Sequence, residues 1–525
     1  MRDFHFPGRS PVLAETGMCA TSHPLAAKVA LDTLARGGTA ADAAIAGAVL
    51  LGLCEPQMTG LGGDCFALVK PAGTERIEAL NGSGRAPAGA DAAALRARGL
   101  ATVPVDGPEA VTLPGAVAAF AALAERHGKL GLADALGPVI PYFRAGMRIA
   151  PRVALDAATF AARPRGRARA LYMRDDRALR TGERLALPGQ ADALEAIAAR
   201  GAAGFYEGPV ADDMVASLRA AGGVHTAEDF AGVTADWGEP VSGRYGPVEL
   251  VEHPPNGQGA AAILIANVLA QFDVASMDPW GAARAHLEAE AVKLGYDARD
   301  RFVADPDHMD RLDHLLSAET AARLAGLIDP KRAMPSAAAA AEQVHRDTVY
   351  ITVVDRDRMA VSLIYSIFQS FGCGIASDRY GILFHNRGAG FTLAEGHPNE
   401  MGPGKRPMHT IIPGILREGG RVAMPFGVMG GPYQAAGHAR FVSNVVDFGL
   451  DPQAAIDAPR LFATEGVLQV ERGYPDAVRA ELAEMGHDVV VPDLAIGGAQ
   501  AIRIHADGYL EGGSDPRKDG CALGY

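Results

Sequence analysis

Cysteine is scarce in this chain of 525 residues. The five present (Cys19, Cys54, Cys65, Cys373, Cys521) are scattered, and no pair has a spacing that suits zinc or a disulfide framework. An odd count fits a reducing compartment. Long hydrophobic runs are also missing. The longest, Ala43 to Cys54, is too short to cross a bilayer and reads as a buried helix. The first ten residues, Met1 to Ser10, lack the apolar core of a secretory signal, so the cytoplasm is the expected location. Positive charge is in deficit: the formal net charge is −13 and the pI is near 5.6. That balance argues against nucleic acid or an anionic membrane as partner. No internal repeat is found, and no motif calls for a metal or an organic cofactor.

What is present points to a threonine. Asp347-Thr348-Val349-Tyr350-Ile351-Thr352-Val353-Val354-Asp355 places Thr348 at the start of a β-rich run, just after the alanine-rich stretch Pro335 to Glu342. A threonine hydroxyl is ordinarily a poor nucleophile because no base takes its proton. If the Asp347–Thr348 bond breaks, the new α-amine, with a reference pKa of about 8, lies within reach of that hydroxyl. One residue then supplies nucleophile and base. A buried strand threonine with no chemistry is the plainer alternative for this pattern taken alone.

Periodicity gives alternating helices and strands. Pro24 to Arg36 and Ala40 to Leu53 read as helices separated by Gly37-Gly38, and Cys65 to Val69 reads as a strand. Leu113 to about Arg200 is mostly helical. Val248 to Val251 leads into the turn Pro254 to Gly259 and a helix from Ala260 to Ala270. His286 to Arg301 is a further helix, with Glu288 and Glu290 expected on its polar face. Thr348 to Val354 and Met359 to Ser366 form a hairpin about Asp355-Arg356-Asp357-Arg358. Val422 to Met429 is a strand, followed by Gly430-Gly431 and a helix from Tyr433 to Asp447.

An ordered set of motifs then narrows the field. It runs through Met18-Cys19-Ala20-Thr21-Ser22-His23-Pro24, Gly37-Gly38-Thr39-Ala40-Ala41-Asp42, Glu55-Pro56-Gln57, Gly60-Leu61-Gly62-Gly63-Asp64 and Leu113-Pro114-Gly115. It continues with Gly372-Cys373-Gly374-Ile375, Gly404-Lys405-Arg406-Pro407, Gly430-Gly431 and Ser514-Asp515-Pro516-Arg517. With Thr348 to Asp355, this set resembles the γ-glutamyltransferase family of N-terminal nucleophile hydrolases nearly end to end. The resemblance implies an α/β (α+β) fold, a four-layer αββα sandwich with two central antiparallel sheets. It implies a proenzyme that cleaves itself into fragments 1–347 and 348–525, which stay associated as one body, with any higher oligomer left open.

The implied chemistry uses Thr348 as nucleophile and the backbone N–H groups of Gly430 and Gly431 as donors to the developing oxyanion. Residues without side chains between a strand and a helix let the main chain approach closely, which agrees with that role. Ser366 falls where the family has a threonine whose hydroxyl assists the nucleophile. Thr352 could orient the nucleophile or simply satisfy its own hydroxyl within the strand.

Substrate recognition departs from the family pattern. Members that bind a γ-glutamyl group hold its ammonium with an asparagine, a glutamine or glutamate, and an aspartate. Here Phe368, Arg387 and Gly390 stand at those positions, and none can neutralise an ammonium. His409-Thr410 replace the paired serines near the substrate carboxylate. Arg85 is the candidate carboxylate-binding arginine, two positions closer to the following proline than in the usual motif. The expected ligand is a small amide bearing a carboxylate. Three readings stay open: hydrolysis or transfer of γ-glutamyl compounds, hydrolysis of an amino-free amido-carboxylate such as oxamate, and a catalytically silent family member.

Overall fold

The computed structural model describes residues 5, 8–335 and 348–525. Asp347, residues 336–342 of the alanine-rich stretch and most of the first seven residues lie outside that description. Two seven-stranded sheets form the centre of the molecule, and every strand pair in them is antiparallel. The first sheet runs, edge to edge, through Val12–Ala14, Leu510–Ser514, Gly498–Ile504, Arg421–Met429, Gly414–Glu418, Val248–Glu252 and Val241–Tyr245. The second runs through Cys521–Gly524, Met18–Thr21, Val349–Val354, Ala360–Ser366, Asp64–Lys70, Glu78–Gly82 and Asp236–Gly238.

Side-chain alternation assigns the faces. Val349, Ile351 and Val353 join a core shared with the helices Pro24–Ala35, Ala40–Cys54 and Ala116–His127. The intervening Tyr350 packs with Phe66, Ile364, Ile411 and Met429 between the two sheets. A period of two therefore turns Thr348, Tyr350 and Thr352 toward the opposing sheet. On the far side, Leu416, Met424 and Val428 pack with the helices Gly259–Leu269, Ala282–Phe302 and Tyr433–Val446. The layers are helix, sheet, sheet, helix.

Local chemistry explains the two elements that fix the nucleophile strand. Thr39 and Asp42 form a reciprocal capping box that starts Ala40–Cys54, a helix buried on every side. Its first N–H donates to Asp355 Oδ2 at 2.9 Å, while Asp355 Oδ1 accepts from Asp357 and Met359 N–H at 3.0 Å each. One carboxylate thus closes the hairpin turn and ties it to the helix. Glu288 and Glu290 correct the expectation of a polar face, since both are buried. Glu288 pairs with Arg284 at 2.9 Å and with Arg440, which removes the need for water. No helix among the described residues is long and apolar enough to cross a membrane.

Candidate functional site

Thr348 and Ser366 meet where the two hairpin strands end. Their register pairs Val349 with Tyr365, so the residues just beyond face one another. Thr348 Oγ1–H donates to Ser366 Oγ at 2.7 Å, and both residues are buried. Ser366 Oγ also accepts the N–H of Phe368 at 2.9 Å. Phe368 holds φ at +74°, a conformation that costs a bulky L-residue about 1–3 kcal/mol. Ser366 pairs in the ladder with Asp64, at the end of the glycine motif. A Cβ on Gly63 would lie 2.5 Å from Ser366 O, so glycine is what permits this approach.

Asp64 anchors a buried polar cluster. Its Oδ1 accepts from Gly84 N–H (3.0 Å) and Gly115 N–H (3.3 Å), and its Oδ2 lies 3.1 Å from His409 Nε2 and 3.3 Å from His385 Nδ1. Burial opposes the charge, but His385 and then the His409 contact outweigh it and hold the carboxyl far below its usual range. His409 is pushed down to about 3 by burial first and the Arg387 charge second. It is therefore neutral, and Ile411 N–H donating to its Nδ1 at 3.3 Å assigns the proton to Nε2, facing Asp64.

Arg387 lies beside this cluster, fully buried. Its guanidinium stacks 3.9 Å from the centre of the Phe368 ring and donates to Thr410 Oγ1 at 3.0 Å. Gln258 joins the two ends of the site. Its amide donates to Thr410 O at 2.6 Å and to Gly431 O at 3.2 Å, while Arg299 Nη1 donates to its Oε1 at 2.9 Å. Gly430 and Gly431 have φ of +121° and +56° and sit between the strand Arg421–Met429 and the helix Tyr433–Val446. A Cβ on Gly430 would press on Gly497 Cα at 3.0 Å. Their carbonyls accept from Tyr433 and Gln434 N–H, the first bonds of the helix.

The structure thus gathers Thr348 with Ser366, Arg387 with Thr410, and Thr410 with Gly431 through Gln258. Thr352 satisfies its hydroxyl on Val361 O at 3.0 Å, two residues along the same face from Tyr350. Arg85 does not join these contacts. It donates to Gly404 O at 2.9 Å and faces Asp305 (3.4 Å) and Asp236 (3.8 Å) in a separate cavity of about 370 Å³. Position 83, where the family motif places its arginine, is a buried serine whose hydroxyl accepts from Asn256 Nδ2 at 3.1 Å. Sequence reasoning missed Asp64, His385 and Gln258. Asp64 closes the glycine motif and was the one with a local signal; the other two come from loops whose convergence only the fold reveals.

Two facing antiparallel sheets between helical layers, with a threonine hydroxyl at the leading end of a central strand, define an N-terminal nucleophile hydrolase fold. The family model described as gamma-glutamyltranspeptidase matches residues 26–525. The glutathione hydrolase-like YwrD proenzyme of Bacillus subtilis is 34% identical over 98% of this chain and 99% of its own length. The oxamate amidohydrolase proenzyme of Klebsiella pneumoniae is 33% identical over 97% of this chain and 98% of its own. The crystal structure of cephalosporin acylase from Bacillus halodurans superimposes with a TM-score of 0.90 at 37% identity, covering 100% of this chain and 99% of that one. The chain belongs to the gamma-glutamyltranspeptidase family, and it is an autoprocessed amide hydrolase or acyltransferase of that family.

Proposed function

We propose that cleavage before Thr348 yields fragments 1–347 and 348–525, and that the new amine serves Thr348 as general base. Thr348 Oγ then attacks the amide carbonyl as its proton passes to the amine. The oxyanion rests on the Gly430 and Gly431 N–H groups, and the leaving amine departs with the proton. Water completes the cycle by the same route in reverse. Ser366 holds the nucleophile's hydroxyl in place. The 2.7 Å bond between Thr348 and Ser366 is the observation that carries this reading.

The substrate we infer is a small amide with a carboxylate and no neighbouring ammonium. Buried Arg387 supports it: a guanidinium braced by Phe368 and Thr410 attracts a carboxylate and repels an ammonium. Asp64, the carboxylate of this cluster, already receives His409, Gly84 and Gly115 and has little left for an amine. Oxamate and a γ-glutamyl anilide separate the readings. Ammonia release from oxamate at a kcat/KM well above anilide cleavage is expected; the opposite order would return the substrate to the γ-glutamyl class.

A further inference from the structure

Away from Thr348, the described residues bring three ligand atoms of His286, Glu290 and His487 within 4.8 Å of one another. His286 and Glu290 stand one turn apart on the helix Ala282–Phe302, so they share a face. His487 reaches them from the turn after the helix Asp476–Glu484. All three are buried.

Their orientations are set from outside. His286 Nε2–H donates to Asp329 O at 2.8 Å, which leaves the Nδ1 lone pair facing His487 Nε2, also at 2.8 Å. A backbone carbonyl on the outer N–H is the arrangement that fixes a metal-binding imidazole. Glu290 is held by Met334 N–H on Oε2 (2.8 Å) and by Lys293 Nζ on Oε1 (2.6 Å), with Oε1 4.0 Å from His487 Nε2. A cavity of about 540 Å³, lined by Lys293, Met334, His487 and Asp488 among others, gives access from one side.

We propose that His286 Nδ1, His487 Nε2 and Glu290 Oε1 bind one divalent transition-metal ion of the zinc class, with a fourth position open to the cavity. Two imidazoles and a carboxylate suit such an ion better than calcium or magnesium, which take oxygen alone. Binding asks for three small adjustments. The His487 proton moves to Nδ1. The two ring nitrogens part to the roughly 3.3 Å that tetrahedral ligands at about 2.0–2.1 Å from an ion require. The Lys293 amine, already partly exposed, leaves Glu290 for the cavity. His286 and Glu290 precede Thr348 and His487 follows it, so the ion joins what cleavage separates.

Cobalt(II) titration of the tag-free, chelator-treated full-length protein tests this. The expected result is one ion per chain, tetrahedral visible bands, no thiolate charge-transfer band, displacement by zinc and a higher Tm with zinc. His286→Ala and His487→Ala should each weaken binding more than about 100-fold, beyond the 10–100-fold typical of an outer-shell change. Lys293→Met should tighten it. If a histidine variant does not fold, as judged by circular dichroism in chelator, Glu290→Gln replaces it. A wild type that binds no cobalt, or binds it with a thiolate or octahedral spectrum, overturns the proposal, as does full affinity in folded histidine variants.

Discussion

The hairpin that carries Thr348 and the loops that carry Arg387 and His409 are built on different principles. In the hairpin, position follows from local sequence: β-branched alternation sets the face, Asp355 sets the turn, and the ladder brings residue 348 opposite residue 366. In the loops, position follows from long-range bonds. His409 is placed by Asp64, 345 residues away in sequence, and Thr410 by Gln258, 152 away. On the proposed function, the nucleophile and its hydroxyl partner rest on a rigid ladder, and the residues proposed to choose a substrate rest on separately variable loops. A family built this way can change what it binds without disturbing how it reacts.

Substitutions on the two sides should separate accordingly. With Thr348 itself left in place, the largest effect is expected on the loop side. Arg387→Gln should lower kcat/KM for a carboxylate substrate about 100-fold, the loss of a charge-assisted contact worth roughly 2–3 kcal/mol, with cleavage before Thr348 intact on gels. Loss of processing together with turnover would instead place Arg387 in the machinery. On the hairpin side, Ser366→Ala should slow both processing and turnover about tenfold, the effect of one buried hydrogen bond, with KM nearly unchanged. Ser366→Thr should restore most of the rate; a KM effect alone would argue that Ser366 contacts substrate. The smallest effect is expected from Arg85→Ala. Its partly exposed ion pairs are worth no more than about 1 kcal/mol, and kcat/KM should stay within about twofold. A large rise in KM would bring Arg85 back into the substrate site.

This contrast also explains what could be read from the sequence. The strand of Thr348, the buried helix Ala40–Cys54 and the glycine turn at 430–431 announce themselves through alternation, continuous apolarity and adjacent glycines. Glu288 and Glu290 did not, because charge on a helix normally means a solvated face; Arg284, Arg440 and Lys293 supply the compensation that allows burial. Arg85 looked like a substrate ligand because arginine near the right proline is a strong cue. The two-residue offset turns it toward Asp236 and Asp305, and Ser83 takes the inner position. Asp64 lay inside a glycine motif that drew attention to its backbone, so its carboxylate was overlooked.

Intact-mass analysis of the purified wild type beside Thr348→Ala, each assayed for amide turnover, probes the α-amine mechanism most directly. Two species corresponding to 1–347 and 348–525 are expected in the wild type, with turnover confined to it, and a single uncleaved, inactive chain in Thr348→Ala. Full turnover by an unbroken 525-residue chain would contradict the mechanism.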